Sequence, residues 1–347
     1  MTSVRVINPG MYTTIQDLGR TGYQQYGMPV SGSMDHFAHR VANLLVGNAQ
    51  NEAVIEMTIM GGTYAFDEDL FIAVTGADMN PKLNDKNQIG MWRSVFVKKG
   101  DQVTFGAAKK GCRSYLAVSG GFDLPFVLGS KATYVRGRFG GLEGRILKKD
   151  DLIRVNEKKQ EDQNLNGRFI SAGDIPEYEK SVNLRVLLGP QENYFTRKGI
   201  ADFFSLPYKV SKEFDRMGYR LEGKKVEHES SADIISDGIV KGAVQIPGHG
   251  NPIIMLADCQ TTGGYTKIAH VITTDLWKVA QLKTGDTIRF EAIDISDAHE
   301  IFRKREQKIL EMIEGFSHKR LKDDKDFRLN INSQSFEVKI NEVSSLK

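Results

Sequence analysis

"PIIMLADCQTTGGYTKIAHV" occupies residues 252 to 271, and its two ends differ in kind. The first six residues are an apolar run that closes on Asp258, the length and composition of a buried strand. Further on, "LKTGDTIRF" places a Gly285-Asp286 turn before a second, alternating strand. The same pairing occurs earlier in the chain. "FIAVTGAD" (Phe71 to Asp78) is followed by "KKGDQVTF", which turns at Gly100-Asp101, and "KKDDLIRV" near Asp150 is a weaker third copy. Self-similarity of this kind argues for two related β units, two barrels from an internal duplication. Chance matching of short turn phrases is the alternative.

Other short runs, "SVFVKKGDQVTF", "RSYLAVSGG" and "LRVLLGP", are rich in Val, Phe and Leu and bounded by turn residues, so the chain reads as mainly β. Helices are few. "SMDHFAHRVANLLVGN" sets Met34, Phe37, Ala38, Val41 and Leu45 on one face, with His36, His39, Arg40 and Asn43 on an opposite, solvated face and a stop at Gly47-Asn48. "TTDLWKVAQL" reads as a short helix with a Thr cap and Asp275 in its first turn. "DAHEIFRKREQKILEMIEGF" is amphipathic and expected to end near Gly315. After it, "KRLKDDKD" reads as a solvated linker. "FRLNI" and "FEVKI" then read as a hairpin with a four-residue loop, with Phe327, Leu329, Ile331, Phe336, Val338 and Ile340 on one face. Three segments follow: a first β unit with a helix over 1–175, a second over 176–295, and an appendage over 296–347.

The 347 residues carry 47 basic and 44 acidic side chains, a net charge of +3, spread along the chain. That balance gives no electrostatic case for nucleic acid or a membrane surface. Two cysteines are too few for a disulfide framework, no basic and apolar leader opens the chain, and no run approaches 18 apolar residues. A reducing, cytoplasmic setting is expected.

Motifs for nucleotides and metals are weak. "GYRLEGKK" (Gly218 to Lys225) has the glycine spacing of a phosphate loop but ends in Lys where a hydroxyl must hold Mg²⁺. His249 and His270 stand alone, so no metal site is argued. Cys259 reads as a bystander thiol. The stretch from Asp258 to Lys267 is the stronger case. It crowds an acceptor, the neutral groups of Gln260, Thr261 and Thr262, the glycines Gly263 and Gly264, the Tyr265 phenol and a cation at a strand end. A site for a small polar molecule is commonly built that way, and a self-satisfied polar turn would use the same residues. "PGMYTTIQDLGRTGYQQYGMPVSG" contributes Gln16, Asp17 and Arg20, and "EFDRMGYRLEG" contributes Asp215 and Arg216, an arginine suited to gripping a carboxylate at two points.

Taken together, "PGMYTTIQDLGRTGYQQYGMPVSGSMDHFAHRVANLLVGN", "RSYLAVSGGFDLPFVLGSKATY", "DRMGYRLEG" and "PGHGNPIIMLADCQTTGGYTKIAHVITTDLWKVAQLKTGDTIRF" resemble the KipA family. That family is also called allophanate hydrolase subunit 2, the biotin-dependent carboxyltransferase family, or the C subunit of bacterial 5-oxoprolinase. The resemblance covers roughly residues 4 to 292. It implies cyclophilin-like β-barrel units, a KipI-type partner, and in the oxoprolinase a further LamB/YcsF-type subunit. It implies opening of the lactam 5-oxo-L-proline to L-glutamate with ATP hydrolysis, the ATP site not being located. Relatives in urea carboxylase imply an alternative, carboxyl transfer from biotin carried on another polypeptide. A third reading is a regulatory antagonist of KipI. The chain's length, without fused carboxylase and carrier modules, favours the first.

Lactams and ureas are both resonance-stabilised amides, and a site for either needs groups matched to an N–C=O edge and a stabiliser of negative charge on oxygen. Asp258 and Lys267 are the catalytic candidates. Gln260, Thr261, Thr262, Gly263, Gly264, Tyr265, Arg216, Asp78, Gln16 and Arg20 are the binding candidates. Thr266 stands where the family usually has Pro, and the tail lacks the Met-Lys-Met acceptor of biotin carriers.

Overall fold

A computed structural model describes residues 2–156, 165–331 and 334–345, with side chains up to residue 316. Among these the chain is mainly β. The first half carries β1 (Ser3–Asn8), β2 (Tyr12–Gln16), β3 (Val54–Thr58), β4 (Thr63–Phe66), β5 (Leu70–Gly76) and β6 (Lys82–Leu83). It continues with β7 (Asn87–Gln88), β8 (Ser94–Val97), β9 (Gln102–Thr104), β10 (Arg113–Val118) and β11 (Leu152–Arg154). These pair as two sheets, β11-β1-β4-β9-β6-β7 and β2-β3-β10-β5-β8. One core of inward side chains lies between them, with Val4, Val6, Tyr64 and Val103 from one sheet and Ile55, Ile72, Val74 and Leu116 from the other.

The second half carries β12 (Ser181–Leu188), β13 (Tyr208–Phe214), β14 (Gly218–Glu222), β15 (Asp233–Gly238), β16 (Ala243–Ile246), β17 (Ile253–Met255), β18 (Thr262–Val271) and β19 (Thr287–Ala292). Their order is β12-β19-β13-β14-β17-β16-β18-β15, and β12 also pairs with β18. The first seven therefore close into a ring around Leu184, Val186, Ile254, Ile268 and Ile288, and β15 hangs outside on β18. Closure removes the edges of those seven strands. The half expected as the first barrel instead pairs as two sheets.

The repeated turns are real at the local level. The Asp101 carboxylate accepts from Lys98 N at 2.8 Å, Asp286 from Lys283 N at 2.8 Å, and Asp151 from Lys148 N at 2.7 Å. Gly100 and Gly285 supply the positive φ of the first two bends, at +87° and +93°, and Asp150 takes it in the third, at +68°. The strands that follow diverge. β9 lies in a different sheet from β5, whereas β19 shares the closed ring with β17.

Helix α1 (His36–Leu45) starts at Asp35, whose side chain accepts from Ala38 N at 2.9 Å. Its apolar face packs on Val54, Ala73, Tyr115 and Ala117 of the second sheet. The face expected to be solvated is also covered, because α4 (Ile295–His318) docks on α1 through Ile309 and Met312 and the Arg40–Glu306 pair at 2.6 Å. His39 and Asn43 are buried by the first half itself, where Asn43 Nδ2 donates to Glu52 O at 2.8 Å and the His39 ring meets Tyr115 edge to face at 6.5 Å. α4 itself passes through Gly315 rather than stopping there.

Helix α2 (Arg197–Ser205) is capped by Thr196. Helix α3 (Leu276–Ala280) follows a 3-10 turn and has no side-chain cap. Asp275 there accepts instead from Arg185 Nε and Nη2 at 2.9 and 2.6 Å. The segment read as a linker is part of β20 (Lys319–Ile331), which pairs with β21 (Gln334–Ser345) and shifts register between Lys322 and Lys325. The hairpin is therefore longer than expected. Its facing side chains and the loop at 332–333 lie outside the described residues. No described helix is long and apolar enough to cross a membrane.

Candidate functional site

The site begins at the junction of the two halves. Between β13 and β14 the Asp215 side chain accepts from Met217 N and Gly218 N at 2.7 and 3.2 Å. This tight turn aims Arg216 inward. Arg216 donates to Asp258 through Nε and Nη2 at 2.9 and 3.1 Å, to Gly32 O at 2.6 Å, and to Glu56. All three charged side chains are buried, with 4% of Arg216, 5% of Asp258 and 1% of Glu56 exposed. Burial works against each charge. Even so, Asp258 and Glu56 raise the Arg216 guanidinium above its usual value, and Arg216 and Arg113 hold the Glu56 carboxyl below its own.

Arg216 and Asp258, read separately as a binding and a catalytic candidate, are thus brought together, as a cross-link whose donors and acceptors already face each other. Glu56 was missed, although a charged residue inside the otherwise apolar β3, "VIEMT", is a readable signal. A second cross-link lies alongside. Arg113 donates to Tyr219 OH and Ala280 O, both at 2.6 Å, and Gln281 bridges Asp35 at 2.9 Å and Arg113 O at 3.0 Å.

Beyond this cross-link opens a cleft of about 550 Å³ whose lining includes Gln245, Gln260 and Tyr265 with Arg136, Lys212 and Arg220. Gln245 is almost wholly buried and donates to Tyr265 O at 3.4 Å; Gln260 is exposed. A primary amide presents one donor group and one acceptor, the complement of an N–C=O edge. The segment from Thr262 onward is not a loop, because Thr262–Val271 is strand β18, with Thr262 and Gly263 opposite Gly238 and Asp237 of β15. Gly263 is needed for close approach. A Cβ there would stand 2.5 Å from Ile239 Cδ1 and 3.0 Å from Gln245 Nε2. Gly264 has more room, its nearest neighbour being Ile234 O at 3.3 Å. Thr261 contributes its carbonyl, which accepts from Ile239 N at 2.8 Å.

The remaining candidates scatter. Lys267 is buried, and its amine donates to Asp237 at 2.7 Å, which pulls that exposed carboxylate down to about 2. Its backbone N–H donates to Gln191, whose amide also reaches Asp237. Gln16 and Arg20 sit together inside the first half, with Gln16 Nε2 on Thr133 O at 3.1 Å and Arg20 Nη2 on Ala132 O. Arg20 also stacks over Phe139, 4.8 Å from the ring centre. Asp78 caps a turn through Asn80 N and borders a separate 840 Å³ cleft. Burial pushes the Cys259 thiol up to about 11, which fits a bystander. Gly218 begins strand β14 and Gly223 follows its end, so 218–225 is not a phosphate loop. No group of three metal-ligating side chains occurs among the described residues.

The chain is thus built of two β halves locked by buried charge, with a polar cleft lined by two amides beside their junction. The sequence places it more narrowly. The chain belongs to the family described as carboxyltransferase domain, subdomain A and B, whose model matches residues 26–292. It is 37% identical to the C subunit of 5-oxoprolinase from Escherichia coli over 85% of this chain and 93% of that protein. It is 39% identical to the corresponding 5-oxoprolinase C subunit of Haemophilus influenzae over 84% and 92%. Its fold superposes on urea carboxylase of Kluyveromyces lactis with a TM-score of 0.81 at 32% identity, covering 90% of this chain and 29% of that one.

Proposed function

We propose that this chain is the C subunit of a cytoplasmic, ATP-dependent 5-oxoprolinase, acting with a KipI-type and a LamB/YcsF-type subunit to convert 5-oxo-L-proline to L-glutamate. The observation that carries the reading is the similarity to two 5-oxoprolinase C subunits along nearly their whole length. The cleft supports it chemically. Gln245 and Gln260 offer donor and acceptor to the lactam N–C=O, and the Arg136 and Lys212 cations border the same space. No residue of this chain is assigned to ATP. The test is glutamate release from 5-oxo-L-proline and ATP by the three subunits mixed, with and without this chain. Release that needs this chain supports the reading, and release indifferent to it, with all partners folded, refutes it.

The likeness to urea carboxylase favours a second reading, a carboxyltransferase component receiving a carboxyl group from biotin on a partner. Carboxylation of urea dependent on this chain and a biotinylated carrier distinguishes it.

A further inference from the structure

The cleft contains a cation that the protein leaves without a counter-charge. Arg136 leaves the first half at the tip of a short hairpin. Tyr134 N donates to Phe139 O at 2.9 Å, and Arg138 N donates to Val135 O at 3.2 Å to close the turn. The rings of Tyr134 and Phe139 meet edge to face, 5.5 Å apart, and Phe139 is held beneath the buried Arg20 guanidinium. Gly137 lets the rings close over the turn, since a Cβ there would lie 2.5 Å from Tyr134 and 2.6 Å from Phe139. The hairpin thus presents Arg136 on a rigid base, projecting across the junction to Met217 of the second half.

The two acids that line the same cleft are turned to other partners. Asp215 accepts from two backbone N–H groups, and Glu213 pairs with Arg220 at 2.9 Å. The Arg136 guanidinium meets the Met217 sulfur and, among the described residues, no carboxylate. A guanidinium is a planar fork of donors suited to two-point grip on a carboxylate. Placed over a cleft lined by two amides, it matches a small molecule that carries an amide and a carboxylate on one frame.

We infer that Arg136 recognises the carboxylate of the substrate and so makes this cleft selective for an acidic lactam over neutral amides such as urea. The inference rests on the 5-oxoprolinase reading. It also accounts for a requirement of that reading: 5-oxo-L-proline bears a carboxylate that urea lacks.

The test uses the assembled enzyme with wild-type, Arg136→Met and Arg136→Lys chains. KM is measured for 5-oxo-L-proline, and Ki for 2-pyrrolidinone, the same ring without the carboxylate. Arg136→Met is expected to raise KM for the acid about 10- to 100-fold, the worth of a charge-assisted pair. The Ki of the neutral lactam should stay within about twofold, and Arg136→Lys should recover part of the loss. An unchanged KM, or equal weakening of both ligands, overturns the inference. Calorimetric titration of the full chain alone with each lactam separates the two failures. If glutamate release does not depend on this chain yet the wild-type chain binds the acid in preference to the neutral ring and Arg136→Met does not, only the enzyme reading falls. If the wild-type chain shows no such preference, the inference falls with it.

Discussion

Two arginines cross the junction between the halves in opposite directions. Arg216 leaves the second half and ends among Glu56, Asp258 and the Gly32 carbonyl, buried on every side. Arg136 leaves the first half and ends exposed, against the sulfur of Met217. The charge is the same, and the surroundings decide its use. An arginine whose three nitrogens all meet protein acceptors holds the fold together. One held on a rigid hairpin with its donors open is placed for a ligand.

Removing charge from the closed region should cost most. Arg216→Met leaves two buried carboxylates without their cation and is expected to destabilise the chain by about 3–5 kcal/mol in equilibrium urea unfolding. Adding Glu56→Gln and Asp258→Asn to it should recover part of that loss, and a triple variant as unstable as the single one would break the contrast between the two arginines.

His39 extends the closed region on the first-half side of α1, beside Tyr115. Burial lowers its pKa to about 4, and it lies 3.3 Å from Asn43 Nδ2. Because the folded value lies below the unfolded one, the unfolded state binds a proton first as pH falls. Stability should therefore decline from about pH 6.5 to 4, by on the order of 3 kcal/mol for this group. His39→Leu should flatten that part of the pH–stability curve.

At the edge of the open region, Gly263→Ala forces a methyl against Ile239 and the Gln245 amide. It should cost about 1–3 kcal/mol and weaken lactam binding by moving Gln245. The smallest effect is expected from Lys267→Met. Its partner Asp237 is exposed, so the melting temperature should move by no more than about 3 °C. Turnover measured beside it assigns the amine: loss places it in the chemistry, and retention leaves it to the sheet edge.

Strands and turns were legible because their signals are local. The apolar runs and the Gly-Asp bends all appear where the pattern puts them, down to the Asp side chain that closes each bend. What misled was packing between distant segments. The polar face of α1 has the spacing of a solvated face, yet Arg40 meets Glu306 of α4, 266 positions ahead, and His39 and Asn43 pack against Tyr115 and the Glu52 carbonyl. The same limit divides the site. "DCQTTGGYTK" is contiguous, but the turn between β17 and β18 sends Asp258 inward to Arg216 and Gln260 to the cleft, while β18 carries Lys267 to Asp237. Arg136 carried no signal of its own, since an arginine within "YVRGRFGG" follows no period and its neighbours in the cleft come from β13, β14, β16, β17 and β18.

The Glu56–Arg216 pair also sets a timetable. Its members are 160 residues apart, so at roughly 5–20 residues per second of synthesis the acid waits about 8 to 30 s on the ribosome for its cation. Over that interval the nascent first half has Arg113 and the Met34 N–H to offset the buried carboxylate, but not its paired guanidinium. It cannot lock shut until the turn after β13 has been made. The N-terminal portion is thus a late finisher despite being an early arrival, and truncation anywhere before residue 216 should leave a chain that collapses without setting.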